Sequence, residues 1–480
     1  MGSRNRLWRI LALLLSLSLV AAACGSDSEG ATGAEGGDSD EDPETSDAME
    51  DPEDEPETTD EPEDDPEEDP EEDPEGGEGT VEAAPECTGD SDGVLKFGGL
   101  LPETGNLAFL GPPEVAGVEL AVADINEAGG VLDTDVEYEP GDSGDSADTA
   151  VPTVERHLEN DVDVILGAAS SGVSFTVIDT IVNACKIHFS PANTSPDFTT
   201  YDDDDLYFRT APSDVLQGRV LAELIIDEGR ESVAIMALQD PYGEGLLKFT
   251  SEPLEDAGVA IAESFTYDPQ AQNFDPEVQM MVDAEADALV IIGFEESAQI
   301  ITGLLESQIA ADTIYLVDGN VGNALGENFT EEGILTGIKG TLPGAEVSQD
   351  FQDRLLETDP ELVDFSYGPE TYDATIITAL AAQVAGTDDP AQVAAAMNGV
   401  TRDGEKCTTF ADCKDLIDAG TDIDYDGPSG PQSFGPAGEP TEATFQILSY
   451  GGDVNADDDA GNVNEIDPSL TEYQSAALSG

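Results

Sequence analysis

Apolar positions along most of the chain fall into two alternating patterns. Short unbroken apolar runs predict buried strands over residues 95–101, 136–138, 162–166 and 187–189. Between them, apolar residues recur at three- and four-residue spacing. These predict helices over 115–127, 151–158 and 173–184, the first stopped by Gly129-Gly130. The alternation then repeats, with helices over 215–227 and 245–257 and strands over 232–237, 261–265, 288–292 and 314–316. Strands apolar on both faces, separated by amphipathic helices, mark parallel sheets covered by helices on each side. Two such units predict an α/β chain of two lobes. Ligands of open α/β sheets sit beyond the carboxyl ends of the strands, so two facing lobes would share one cleft that closes about a hinge.

The N-terminal 86 residues follow neither pattern. Arg4, Arg6 and Arg9 flank the start of an apolar run over 7–20, followed by Ala21-Ala22-Ala23 and Cys24. A basic start, a short apolar run and small residues before a cleavage point read as a secretory signal over 1–23. The run falls short of the roughly 20 residues a membrane span needs. Cys24 is then the lipidated first residue of the mature chain, anchored by several acyl chains, although Ala21 stands where such sites usually carry Leu. Residues 25–86 hold 30 Asp or Glu and no Lys or Arg, with proline recurring as in Glu67-Glu68-Asp69-Pro70. Such a segment buries too little apolar surface to offset its ordering entropy. Roughly 60 residues reach about 40 Å even as a flexible coil, and charge repulsion and proline extend them further. Residues 24–86 therefore read as a spacer, with an acidic tail for cations or basic partners as the other reading.

Residues 87–480 exceed one ordinary domain. The formal net charge is −92, and the spacer accounts for only about a third of it. So acidic a folded part excludes nucleic acid as partner and suits high salt, where self-repulsion is screened. Besides Cys24 there are four cysteines, an even number suited to disulfides in an exported chain. Cys407 and Cys413 are near in sequence and close one small loop, which leaves Cys87 to pair with Cys185. A zinc site is the alternative, but the spacing lacks paired C-x₂-C units and the chain has only two histidines.

An ordered set of short motifs spans nearly the whole folded part. Leu101-Pro102-Glu103-Thr104-Gly105, Ala123-Asp124-Ile125-Asn126 and Gly129-Gly130 come first. Ser190-Pro191-Ala192-Asn193-Thr194-Ser195-Pro196, Phe208-Arg209-Thr210, Tyr242-Gly243-Glu244-Gly245 and Tyr372-Asp373-Ala374 follow. Together they resemble the branched-chain amino-acid-binding proteins of ABC importers. The resemblance implies a two-lobed type I periplasmic-binding fold, each lobe a parallel sheet flanked by helices. The chain would cross between lobes near 209–213, 337–344 and 430–441. Lobe 1 would comprise about 87–210 and 341–440, and lobe 2 about 211–340 and 441–480. It also implies a monomer that captures an amino acid and delivers it to permease subunits driven by a cytoplasmic ATPase.

The resemblance places the ligand at the loops after the strands. In the first lobe Ser170 and Ser171, with Ala192, Asn193 and Thr194, would hold a ligand carboxylate through hydroxyls and backbone groups. Hydrogen bonds to charged groups are the strong ones. Ser170 and Ser171 equally suit the cap of the helix that follows, and a helix N-terminus is itself an anion site. In the second lobe Tyr242 and Phe294 would cover the ligand and Asp318 would pair its ammonium. A short alignment shift would put Asn320 in that role, with Glu295 and Glu296 as further anions. Asp318 before Gly319 also suits a plain turn. Leu110 stands where several relatives carry an aromatic residue. If no acid points inward, an amide or urea-like solute replaces the amino acid, and a ligand sensor without transport uses the same fold.

No catalytic constellation accompanies these motifs. His157 lies in a helical run and His188 on a core strand, and there is no P-loop. Asp453, Asn455, Asp457 and Asp459 resemble the start of a calcium loop, but Asp458 replaces the expected Gly and Asn464 the closing Glu. No metal or cofactor is expected.

Overall fold

The computed structural model describes residues 84–85, 87–89, 91–451 and 464–478. The signal segment 1–23, Cys24, the spacer up to residue 83 and the acidic run 453–459 lie outside the described residues. The first sheet is built from β1 (Lys96–Leu100), β2 (Glu137–Glu139), β3 (Val164–Gly167), β4 (Ile187–Ser190) and β5 (Tyr207–Arg209). Its order is β2-β1-β3-β4-β5 and every pair is parallel. Between these strands run α1 (Gly111–Glu127), α2 (Ala147–Glu159) and α3 (Ser171–Val182). Pro112 and Pro113 open α1, where a missing N–H costs nothing.

From β5 the chain enters α4 (Asp214–Asp227) and a second sheet. Its strands are β6 (Ser232–Leu238), β7 (Ala260–Tyr267), β8 (Ala288–Ile292), β9 (Ile314–Leu316) and β10 (Lys339–Pro343). The intervening helices are α5 (Pro241–Asp256), α6 (Asp275–Asp283), α7 (Ser297–Glu306) and the short α8 (Asn323–Gly326). The chain then returns to the first sheet as α9 (Gln349–Thr358), α10 (Gly368–Ala385) and α11 (Pro390–Met397). β11 (Glu405–Cys407), α12 (Phe410–Asp418), β12 (Ile423–Gly427) and β13 (Gly430–Pro431) follow, and β11-β12-β13 make a small sheet of their own. Finally β14 (Glu442–Ser449) and β15 (Glu472–Ala477) join the second sheet, whose order is β15-β14-β10-β9-β8-β6-β7.

Three differences from the sequence reading are informative. The second sheet is not wholly parallel, because β14 runs antiparallel to β10 and β15 antiparallel to β14. These two strands lie at one end of the sheet, with β15 as its edge, and are only partly buried, so they lack the unbroken apolar runs of the inner strands. The stretch 337–344, read as a connection, is mostly β10, which pairs with β9 on one side and β14 on the other. Several helices also start earlier than their apolar pattern: α1 at Gly111, α2 at Ala147 and α5 at Pro241, since first turns are set by caps and prolines rather than by periodicity.

The core of the first sheet includes Phe97, Leu166, Phe189 and the α10 residues Ile376, Ile377 and Leu380, all fully buried. α10 packs on α1 so closely that a Cβ at Gly117 would come within 2.4 Å of the Gly368 carbonyl. The second sheet has its own core, including Ile235, Val290, Ile291, Leu316 and Ile301. Both histidines are core residues: His157 bonds the Gly99 carbonyl at 2.7 Å and His188 sits edge-on against Tyr207. Asn464 is also buried, donating to the carbonyls of Phe329 and Glu331.

The cysteines form two disulfides, Cys87–Cys185 and Cys407–Cys413, with Cα atoms 5.8 and 5.3 Å apart. Cys87 is thereby joined to the turn entering β4. The Asp388 carboxylate holds the same entry segment, accepting the amides of Asp92, Gly93 and Val94 at 2.9, 2.7 and 3.2 Å.

Candidate functional site

The carboxyl ends of β3 and β4 in one sheet face those of β8 and β9 in the other. The loops there enclose a small cavity of about 20 Å³, room for about one water. Eight of the ten expected ligand residues line it: Leu110, Ser170, Ser171, Ala192, Thr194, Tyr242, Phe294 and Asp318. Leu107, Ala169, Gly319 and Tyr367 complete the lining.

On the first-lobe side, Ser170 is the N-cap of α3, its hydroxyl oxygen accepting the Val173 amide. The capping reading of this pair therefore holds, and the cap sits at the cavity wall. The Ser171 hydroxyl oxygen accepts the Ser195 amide at 3.2 Å. Neither serine donates its own hydroxyl proton to another described residue, and both open beside the N-terminus of α3, where the helix dipole favours an anion.

The loop carrying Ala192 and Thr194 is held from behind. Asn193 does not line the cavity: its amide donates to the carbonyls of Ala168 and Ala169 at 2.9 and 2.8 Å, and its side-chain oxygen accepts the Tyr207 hydroxyl. Arg209, fully buried, donates to the carbonyls of Asn193 and Ser195 at 3.2 and 2.8 Å and is paired with Glu439. The position expected to touch ligand thus fastens the loop, because a fully buried amide must satisfy its own groups first.

On the second-lobe side, Asp318 accepts three side-chain donors. Tyr242 Oη and Gln217 Nε2 reach Oδ1 at 2.8 and 2.9 Å, and Tyr367 Oη reaches Oδ2 at 2.7 Å. Burial pushes the Asp318 carboxyl up from its ordinary value, and the donors from Tyr367, Tyr242 and Gln217 oppose this. Asp214, buried at the start of α4, is also raised by burial and by the charge of Asp318. Asn320 turns away, donating to the Ile291 carbonyl and Ser297 hydroxyl and accepting the Val317 amide. Of the further anions, Glu295 is exposed, and Glu296 is occupied by the Phe294 amide, the Tyr267 hydroxyl and Asn106. Tyr242 and Phe294 stack with centroids 5.6 Å apart and form an aromatic wall.

Tyr367 and Gln217 are absent from the sequence reading. Tyr367 adopts a left-handed φ of 60° just before α10. The available signal was Tyr367-Gly368-Pro369, a turn ahead of a helix with proline in its first turn. Among the described residues, no cluster of three or more His, Cys, Asp or Glu side chains is arranged to hold a metal. No helix among them is long and apolar enough to cross a membrane.

The sequence profile of the periplasmic binding protein family matches residues 94–415. The chain belongs to this family. It is a family of solute binders, not enzymes. Among its members, Leu/Ile/Val-binding protein homolog 1 of Brucella abortus is 25% identical over 325 residues, covering 63% of this chain and 85% of that relative. The leucine-, isoleucine-, valine-, threonine- and alanine-binding protein of Pseudomonas aeruginosa is 25% identical over 315 residues, covering 62% and 81%. Among solved structures, the branched-chain amino-acid transporter substrate-binding protein LivJ of Streptococcus pneumoniae, in complex with isoleucine, superposes with a TM-score of 0.65. It is 20% identical and covers 80% of this chain and 100% of that one. The periplasmic-binding fold of two helix-flanked sheets is therefore shared.

Proposed function

We propose that this chain is the extracytoplasmic receptor of an ABC importer and that it captures an aliphatic, branched-chain-like amino acid. The observation that carries the reading is the polarity of the cavity. Two serine hydroxyls and the N-terminus of α3 suit a carboxylate on one side, Asp318 suits an ammonium on the other, and Leu107, Leu110 and Phe294 supply apolar walls. The relatives named above are similar to this chain and carry branched-chain ligands in their names. A zwitterion touching both lobes favours the closed arrangement by its differential contacts. Its entry needs the lobes to part about the three connections between the sheets, since the closed cavity is about 20 Å³. Cys24 would hold the receptor to the membrane, the acidic spacer would set its reach, and permease subunits with a cytoplasmic ATPase would receive the solute.

Calorimetry with leucine, isoleucine and valine tests this. One-to-one binding of at least one supports it, and failure of all amino acids alongside binding of a neutral solute overturns the ligand. A second reading has one observation in its favour. Asp318 already takes three donors, which leaves room for one more N–H and so also suits an amide or urea-like solute.

A further inference from the structure

Behind the ligand cleft, two adjoining cavities of about 310 and 650 Å³ share Gly344, Ala345, Glu370 and Ser429. The smaller is framed by all three connections between the sheets: Thr210 and Pro212, Gly344 and Ala345, and Gln432 and Pro440. No Lys, Arg or His lines either cavity, whereas Glu346 and Glu442 stand at their walls beside Glu370.

Glu370 is 4% exposed, and its carboxyl takes a hydrogen bond from its own backbone amide rather than from a neighbouring side chain. Its neighbours are fully engaged. Asp373, three residues on, takes the Tyr425 hydroxyl and both the amide and hydroxyl of Ser429. The Thr210 hydroxyl donates to the Glu370 backbone carbonyl at 2.9 Å, not to its carboxylate. The carboxylate points over Gly344: a Cβ there would lie 3.1 Å from Glu370 Oε1 and 3.3 Å from Gln446 Nε2. Gln432, 3% exposed in the same wall, spends its amide on Ser429 and leaves its Oε1 without a partner. A buried acceptor without a donor costs free energy, so Gln432 Oε1, in the same wall as the Glu370 carboxyl, calls for a donor from outside the chain.

We propose that the space between the three connections is a second binding site, for a small organic cation bearing N–H donors, with Glu370 as its counter-ion. The Glu370 carboxyl, with Glu442 at the rim, neutral oxygen acceptors and alkyl walls from Pro212, Pro431 and Pro440, suits an ammonium head on a short carbon body. Among the described residues, no three of these carboxylates converge as a metal ion would need. Because the occupant touches all three connections, it holds one lobe arrangement over others and couples to cleft closure. Burial, reinforced by Asp373, pushes Glu370 up to about 8. Other titratable groups facing it are Tyr367 and Glu114 of α1. A cation that ionises Glu370 near pH 7 therefore releases about one proton on binding. This site does not depend on which solute fills the cleft.

The test is calorimetric titration of the folded chain with ethylammonium chloride at pH 7, in two buffers of different ionisation enthalpy. Tetraethylammonium chloride at the same ionic strength is the control without N–H donors. Saturable binding of ethylammonium alone, with proton release, is expected. Glu370→Gln should weaken it by about tenfold or more, the loss of a charge-assisted partner, while removal of an exposed carboxylate elsewhere, Glu263→Gln on β7, leaves it unchanged. Equal binding of tetraethylammonium, no saturable heat, or an unchanged affinity in Glu370→Gln would overturn the site. Should Glu370→Gln fail to fold, Gln432→Leu must weaken binding severalfold, and an unchanged affinity refutes the proposal.

Discussion

Tyr367 donates its hydroxyl to Asp318 at 2.7 Å, and the two residues come from opposite lobes. Tyr367 is the residue before α10, which packs on the first sheet, and Asp318 follows β9 of the second. One hydrogen bond thus both stabilises the candidate ligand acid and links the lobes. Tyr367→Phe should weaken amino-acid binding roughly 10- to 100-fold, the 1.5–3 kcal/mol typical of a hydrogen bond to a charged group. Calorimetry measures the loss, and small-angle scattering should show a larger radius for the unliganded variant.

Asp318→Asn should weaken amino acids more than their neutral relatives. An asparagine keeps a hydrogen-bonding oxygen but not the charge that pairs an ammonium. Parallel titrations with leucine and a neutral amide distinguish the two ligand classes. Equal losses for both would move the ammonium partner elsewhere.

Ser171→Ala and Thr194→Ala should each cost about 1–3 kcal/mol of binding, the price of leaving a charged ligand group short of a donor. Asn193→Ala should act differently. It strips three side-chain hydrogen bonds from the buried frame of the loop, so the melting temperature should fall together with affinity.

Stability should rise as pH falls from about 8 towards 5. Burial raises the carboxyls of Glu370 to about 8, Asp373 to about 7 and Asp163 to about 6 in the folded chain. Folding therefore takes up protons, and the stabilisation is fully present below the unfolded carboxylate values and lost as pH rises through these folded ones. Salt should act in the same sense, because residues 87–480 carry 77 Asp or Glu against 12 Lys or Arg and added ions screen that repulsion. Melting curves over pH and sodium chloride measure both, and a flat response to each would contradict the argument.

Opening Cys87–Cys185 should cost more stability than opening Cys407–Cys413. The first spans 98 residues and the second 6, and loop-closure entropy grows with loop length. Denaturant titrations of the paired Cys→Ala variants compare them.

The central strands were legible because burial on both faces leaves an unbroken apolar run, and 288–292 and 314–316 match β8 and β9 residue for residue. Strands β14 and β15 were not, since polar residues interrupt their apolar positions, as Thr444 and Gln446 do in β14 and Gln474 and Ser475 in β15. For the site, position along the loops was legible and side-chain direction was not. Thr194 lines the cavity and its neighbour Asn193 turns behind it, and likewise Asp318 and Asn320 lie on opposite sides of one turn. Apolar periodicity carries no information about which way a turn residue points. Tyr367 was hidden for another reason: it reaches Asp318 from 49 residues away, a proximity that only the returning segment creates.

The Cys87–Cys185 bond also fixes how the molecule bears load. A pull arriving through residue 87 does not fall on β1 alone. It divides at the disulfide, with one path leading into β1 and the other into the base of β4, and β3 lies between them. Tension entering at residue 87 is thus spread across three adjacent strands at the end of the sheet opposite the cavity. The lobe can be tugged without unzipping from its edge, and the loops around the candidate cavity stay outside the line of force.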